Sequence, residues 1–351
     1  MENIVKDLIS FKTVEGNLDE FQKCFDYIAD YMSGTDKNIK MYEYKGYKSC
    51  VISNTSSKEF DILFVGHIDV VPAMDSMFVS KTVDNILYGR GSFDMKGNDA
   101  AIFKFIKNVN TDKKIGVFIT SDEELGGFNG TKYLLENEKY TTKVAIVPDG
   151  DKNFNLVTEG KGVLQLKIVS HGVSAHSSLL WEGENAILKL FNVYNELVKK
   201  YCKNAETDFA TTINLSKIQG GDAINKVPDT AHMYLDIRNI YSDKKEGIID
   251  YIKSIDSNVE IEVIAEGEYF NLDIENEYVK KYIASAEKIL NRKVDFIQCN
   301  SSNDARFFCK YGIPAIIMNP EGDNYHKDDE YVKLGSLDTL YDIYCEFTDK
   351  F

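Results

Sequence analysis

The sequence has no surplus of positive charge, no apolar run of membrane length, no paired-cysteine motif and no internal repeat, and each absence removes a class of function. Lysine and arginine total 41 against 56 acidic residues, a net charge of −15 over 351 residues. Nothing is left over to neutralise phosphates, so a nucleic-acid partner is not expected. No apolar stretch approaches the roughly 20 residues that cross a bilayer, and no membrane partner is expected. The opening residues, MENIVKDLIS, lack a cationic segment followed by an apolar one. No secretory signal is expected there, and the expected compartment is the cytoplasm. The cysteines at 24, 50, 202, 299, 309 and 345 are scattered, with no C-x-x-C pair. They read as reduced structural thiols, and neither a thiolate nucleophile nor a thiolate-bound zinc is expected.

What remains is an ordinary soluble balance, 43% hydrophobic and 28% charged. The length exceeds what one core usually serves, so two domains are expected. Up to about residue 150, strand and helix patterns alternate. Phe21, Phe25, Ile28 and Met32 fall at helical spacing, as do Ala101, Phe105, Ile106 and Val109. The segments 61–66, 114–120 and 143–147 are short continuous apolar runs, the mark of strands covered on both faces. This rhythm predicts an α/β fold, a mostly parallel sheet flanked by helices. From Gly160-Lys161-Gly162 the pattern changes. Residues 163–169, 210–218, 231–237 and 259–264 read as strands, and 186–198 and 243–252 as helices. After Glu266-Gly267 the βα rhythm returns. The expected organisation is a discontinuous catalytic domain, 1–160 and 267–351, interrupted by an inserted α+β unit, 161–266.

Five segments place metal-ligand residue types just past predicted strands or at a helix start. They are Gly66-His67-Ile68-Asp69, Gly89 to Gly97 around Asp94, Asp122-Glu123-Glu124, Pro148-Asp149-Gly150, and Asn319 to Glu330 with His326. Taken singly, each has an unremarkable alternative. His67 with Asp69 reads as a satisfied core histidine. Asp94 reads equally as an N-cap, the Glu123-Glu124 pair as a solvated acidic turn, Asp149 as a turn residue and His326 as a surface histidine. Together they stand beyond the carboxyl ends of strands, where open α/β sheets carry their sites. Adjacent carboxylates repel unless positive charge lies near. Two divalent cations would balance Asp94, Glu124, Asp149 and a hydroxide, with His67 and His326 as neutral donors and Glu123 left as a base.

At this point the sequence resembles the zinc amidohydrolase and peptidase family of succinyl-diaminopimelate desuccinylase, acetylornithine deacetylase, carboxypeptidase G and related dipeptidases. The motifs that carry the resemblance are GHIDVVP (66–72), GRGSFDMKG (89–97), TSDEELGG (120–127), HGVSAHSS (171–178), GENAI (183–187), NDARF (303–307) and GIPAIIMNPEG followed by His326 (312–326). The resemblance implies a two-metal zinc-peptidase fold with an inserted lid and dimerisation domain. It implies that Asp94 bridges two divalent ions, zinc by preference with cobalt or manganese as substitutes. His67 and Asp149 would complete one site, Glu124 and His326 the other. Glu123 would be the general base, Asp69 the partner that orients His67, and His176 a lid residue reaching an active site across a homodimer. Arg238, Asn225, Ser302, Asn303 and Arg306 fall at positions that resemble substrate-recognition residues, although Arg238 also suits an ion pair with Asp236.

The implied reaction is hydrolysis of the amide bond of an N-acyl amino acid. The alternative within the family is a di- or tripeptidase, for which Asp149 in place of the longer glutamate speaks. Ser301-Ser302-Asn303 departs from the family's usual Gly-Thr-Ser and leaves the side-chain pocket open. A silent binding protein on the same fold would be expected to have lost one of His67, Asp94, Glu123, Glu124, Asp149 or His326, and all six are present.

Overall fold

The computed structural model of the protein describes residues 1–203 and 207–351. The chain opens with α1 (Glu2–Ser10), α2 (Leu18–Met32), β1 (Asn38–Tyr44), β2 (Tyr47–Ser53), β3 (Glu59–His67), β4 (Lys81–Val83) and β5 (Ile86–Tyr88). It continues through α3 (Lys96–Asn108), β6 (Ile115–Thr120), α4 (Thr131–Glu136), β7 (Thr141–Ile146) and β8 (Leu156–Gly160). A second stretch holds β9 (Gly162–His171), α5 (Ala186–Tyr201), β10 (Thr212–Gly220), β11 (Thr230–Asn239), α6 (Lys245–Ile255), β12 (Glu260–Gly267) and β13 (Phe270–Asn271). The last stretch holds α7 (Glu277–Leu290), β14 (Phe296–Cys299), α8 (Arg306–Cys309), β15 (Ala315–Met318), β16 (Gly322–Asp323), β17 (Tyr331–Lys333) and α9 (Leu334–Lys350).

Two compact units result, one of residues 1–158, 272–299 and 303–351, the other of 159–271 and 300–302. In the first, the strands run in the order β1-β2-β6-β3-β7-β15-β8. The central four are mutually parallel, while β2 meets β6 and β8 meets β15 antiparallel. The sheet is therefore mixed at its margins and parallel at its centre. Every residue of β6 is buried, which is why it reads as an unbroken apolar run. Phe64 packs 4.9 Å from Phe105 and 4.8 Å from Tyr344 between ring centroids, joining sheet, α3 and α9 into one core. A small antiparallel sheet, β16-β17-β5-β4, forms separately. Its strands are two or three residues long, too short for a periodicity signal.

The second unit is a four-stranded antiparallel sheet, β10-β11-β9-β12. Along β9 burial alternates strictly until its last residue, and its inward residues Leu164, Leu166 and Ile168 share a core with Leu190 and Leu197 of α5 and Ile248 and Ile252 of α6. Asn185 caps α5 by accepting the N–H groups of Ile187 (3.0 Å) and Leu188 (3.2 Å). The unit extends past residues 161 and 266, the edges expected from the sequence pattern. The reason is that Gly160 pairs with Phe270 and Glu159 with Asn271.

Candidate metal centre

Because β3, β6, β7 and β15 are parallel, the residues that follow them emerge at one end of the sheet. His67 ends β3 opposite Thr120 of β6. Glu123 and Glu124 begin the short turn after β6, Asp149 follows β7, and Asp94 stands just ahead of α3. His326 lies in the loop between the paired strands β16 and β17.

His67 is almost completely buried. Its Nδ1 lies 3.0 Å from the Asp69 carbonyl oxygen and 3.4 Å from that residue's Oδ1. A carbonyl only accepts, so Nδ1 carries a proton, and Nε2 is the nitrogen whose lone pair a cation would take once its own proton leaves. That Nε2 faces Asp94 Oδ1 at 3.3 Å and Asp149 Oδ2 at 4.0 Å. The other oxygen of Asp94, Oδ2, lies 3.3 Å from His326 Nε2, which is also 3.2 Å from Glu124 Oε1. One carboxylate thus presents a separate oxygen to each imidazole. Two donor sets result, His67–Asp94–Asp149 and Asp94–Glu124–His326, each with ligand atoms within 4.8 Å of one another. The Asp69 carboxylate does double duty, its Oδ2 accepting the Glu124 backbone N–H at 2.9 Å.

The electrostatics of this cluster are those of a site built for cations. Asp94, Glu123, Glu124 and Asp149 converge, yet among the described residues no lysine or arginine pairs with any of them. Burial pushes Asp149 up to about 8, with the Asp94 charge adding to it. Burial and then Asp149 push Glu123 well above the usual carboxylate range. Asp94 goes the other way. Burial opposes its ionisation, but His326 and His67 together hold it below that range. Contacts with Asp94 and Glu124 raise His326 to about 10. Burial works against the charged form of His67, yet Asp69 and Asp94 hold its pKa well above 6.5. In the protein alone, protons occupy the places where cations would balance the charge. Nitrogen and carboxylate donors in this ratio fit divalent ions of the zinc type.

Several of the other residues singled out in the sequence brace this cluster. Asn303 donates through Nδ2 to the Asp149 carbonyl. Arg306 is buried and directs nitrogens to the carbonyls of Gly126 (2.6 Å) and Asn303 (3.2 Å), so these donors are spent on backbone. In the second unit, His176 is exposed, its Nδ1 2.8 Å from Ser178 Oγ. Asn225 lies beside it, its carbonyl accepting the Ser177 N–H at 3.0 Å. Arg238 makes the ion pair that its sequence neighbourhood offered, 2.8 Å from Asp236. Ser302 groups with this unit, and Asn303 and Arg306 with the first.

Sequence reasoning missed two bracing side chains. Asn98 donates to the carbonyls of Phe93 (3.2 Å) and Pro148 (2.6 Å), tying the Asp94 loop to the Asp149 loop. Glu330, completely buried, takes hydrogen bonds from the loop that carries Asp94. Beside Asp69 and Glu124 the first unit also holds a cavity of about 630 Å³, walled by Leu18, Phe21, Val71 and Leu125.

Residues 63–350 match the model of peptidase family M20/M25/M40. Curated relatives include succinyl-diaminopimelate desuccinylases from two Rickettsia species. The one from Rickettsia bellii is 28% identical over 98% of this chain and 94% of its own length. The one from Rickettsia felis is 29% identical over 98% of each. Among solved structures, an aminopeptidase from Bacillus cereus superposes with a TM-score of 0.75 at 19% identity, covering 99% of this chain and 97% of that one. A dinuclear metal-binding peptidase from Bacillus subtilis gives 0.70 at 14% identity, covering 99% and 96%.

Proposed function

The chain belongs to peptidase family M20/M25/M40 and is a metal-dependent hydrolase, and on that premise we propose that it cleaves the amide bond of an N-acyl amino acid with two zinc-type divalent ions at the paired donor sets. The observation that carries this reading is the Asp94 carboxylate, one oxygen facing His67 and the other His326. When bound, the ions supply Lewis acidity toward a carbonyl oxygen and acidify water. Cobalt or manganese would serve in place of zinc.

The protein's own groups do the rest. Asp69 holds His67 in one tautomer and steadies the Glu124 backbone at the same time. Glu123, next to a ligand yet outside both donor sets, accepts a proton from the attacking water and delivers it to the departing nitrogen. The balance is plain hydrolysis, in which the C–N bond breaks, a C–O bond forms, and the two protons of water end on the products. His176 with the adjoining Asn225, and Arg238, are assigned to substrate recognition, His176 acting from the partner chain of a homodimer. Among the described residues no helix is long and apolar enough to cross a membrane.

A second reading is hydrolysis of di- or tripeptides, for which the cavity beside Glu124 offers Leu18, Phe21, Val71 and Leu125 to a hydrocarbon side chain, while Lys45 and Lys48 in the same wall suit an acidic acyl group. One experiment serves both. Metal-stripped protein is reloaded with zinc and offered N-succinyl and N-acetyl amino acids, acetylornithine, and dipeptides with small or apolar residues. Activity on any class only after reloading supports the hydrolase reading, and the ranking of kcat/KM selects the substrate. Undiminished turnover in rigorously metal-free protein would sink it.

A further inference from the structure

We infer that Glu330 is the positioning residue that holds Asp94 between the two donor sets, and that it does so before any metal arrives. The inference concerns the metal reading above and deepens it by assigning the device that presets the shared ligand.

The register of the small sheet explains how Glu330 comes to be there. Strand β17 pairs with β5 so that Tyr331 faces Tyr88, Val332 faces Leu87 and Lys333 faces Ile86. The ladder continues one step further, the Gly89 N–H donating to the Glu330 carbonyl at 3.1 Å. Beyond that point the loop 89–95 curls over the Glu330 side chain. Its Oε2 accepts from Arg90 Nη1 (2.6 Å) and the Gly91 N–H (3.0 Å), and its Oε1 from the N–H groups of Phe93 (2.9 Å) and Asp94 itself (3.0 Å). Both carboxylate oxygens are therefore filled by one five-residue segment that ends on the shared ligand. The side chain is fully buried. A buried carboxylate with four donors is a rigid mould, because each lost donor would leave an uncompensated charge. Arg90 matches its charge, so the pair shapes the loop without adding net charge under the cations.

The same excursion carries a ligand. His326 and Glu330 both stand in the loop that joins β16 to β17. Glu330 therefore fixes Asp94 to the strand end from which His326 reaches back to Asp94 Oδ2 and Glu124. The loop that supplies one ligand also orients the other. Asn98 performs a smaller version of the task from α3, through Phe93 and Pro148.

Two measurements test this. In the first, the backbone amides of Gly91, Phe93 and Asp94 are followed by hydrogen exchange in metal-free and zinc-loaded wild-type protein. Glu330 as the mould predicts that all three stay protected without metal. Free exchange in the metal-free protein, with protection only on loading, would overturn the inference, since the ions would then be shaping the loop. This readout needs no turnover, so it stands or falls separately from the hydrolase assignment. In the second, Glu330→Gln and the charge-balanced double variant Arg90→Met/Glu330→Gln are loaded with cobalt. Outer partners of metal ligands commonly change affinity by about ten- to a hundredfold. A loss of that size at the second donor set, with an altered visible cobalt spectrum in a protein that still unfolds cooperatively, is expected. A folded variant with wild-type metal content and spectrum overturns the assignment. Should neither variant fold, the amide exchange of the wild type decides.

Discussion

At the scale of single residues, the proposed ligand Glu124 and the proposed base Glu123 are one position apart in the chain. Glu124 lies 3.2 Å from His326 while its neighbour Glu123 belongs to neither donor set. Glu123→Gln is expected to keep both metals and lose about a hundredfold or more in kcat. Metal analysis and steady-state kinetics on one preparation check this, and wild-type turnover would move the base to another residue. Protons should compete with metal in a direction fixed by the shifts. His326 is raised from 6.5 to about 10, first by Asp94 and then by Glu124. In metal-free protein that pairing stabilises fully below about pH 6.5 and is lost as the pH rises through about 10. Cations must displace the same proton, and that of Asp149, which burial holds up to about 8. Metal affinity should therefore climb with pH toward 10, and loading near pH 7 should release about two to three protons, from His326, Asp149 and His67. Calorimetric titration in buffers of different ionisation enthalpy reads the number directly. Loading with no proton release would contradict protonation of His326 and Asp149 in the metal-free protein.

At the scale of elements, the Asp94 loop is held by close backbone approach as well as by Glu330. A Cβ on Gly97 would overlap the Ser92 carbonyl oxygen, a backbone atom that cannot turn aside. Gly97→Ala is expected to cost about 1–3 kcal/mol of stability and to weaken metal binding with it. A useful contrast is Asn185→Ala, which removes the cap of α5 in the other unit for about 1 kcal/mol and should leave metal content untouched. Denaturant titration with metal analysis distinguishes the two, and equal metal loss in both would mean that general destabilisation explains the first. The sequence displayed several of the longer strands and helices of this architecture, while α1, β1 and β2 went unread. Glu59–His67, Ile115–Thr120 and Ala186–Tyr201 each announce themselves by burial pattern or period. The clustering of His67, Asp94, Glu124, Asp149 and His326 was legible because each follows a strand or opens a helix. Glu330 was not legible, because Asp328, Asp329 and Glu330 form a run of one chemical type in which only the last is buried. Its role depends on strand pairings of two or three residues, which carry no period. Arg306 shows a different limit, since an arginine that directs nitrogens to backbone carbonyls looks in sequence like one offered to a carboxylate.

At the scale of the whole molecule, each unit has a core of its own, and the residues assigned to chemistry and to recognition are divided between them. The dimer proposal makes this division testable. A Glu123→Ala chain and a His176→Ala chain, each inactive alone, are mixed and allowed to exchange subunits. If His176 serves the partner's site, each hybrid contains one site with both defects and one with neither, so about a quarter of wild-type activity should return. No recovery in hybrids verified by differential tags would place His176 with its own chain's site. The path of the chain between the units has a further consequence. Thr158 and Leu272, the last and first residues of the first unit at this junction, are already joined by a 2.9 Å backbone hydrogen bond. Two residues further on, Phe270 still faces Gly160. Seen from the sheet, a hundred-residue excursion therefore has the ends of an ordinary hairpin. A tight two-residue turn such as Asn-Gly would close the same gap with its strands already in register. Because loop-closure cost grows only with the logarithm of length, this position is a socket. Its contents can be shortened, exchanged or enlarged while the strand ends that carry His67 and Asp149 stay where they are.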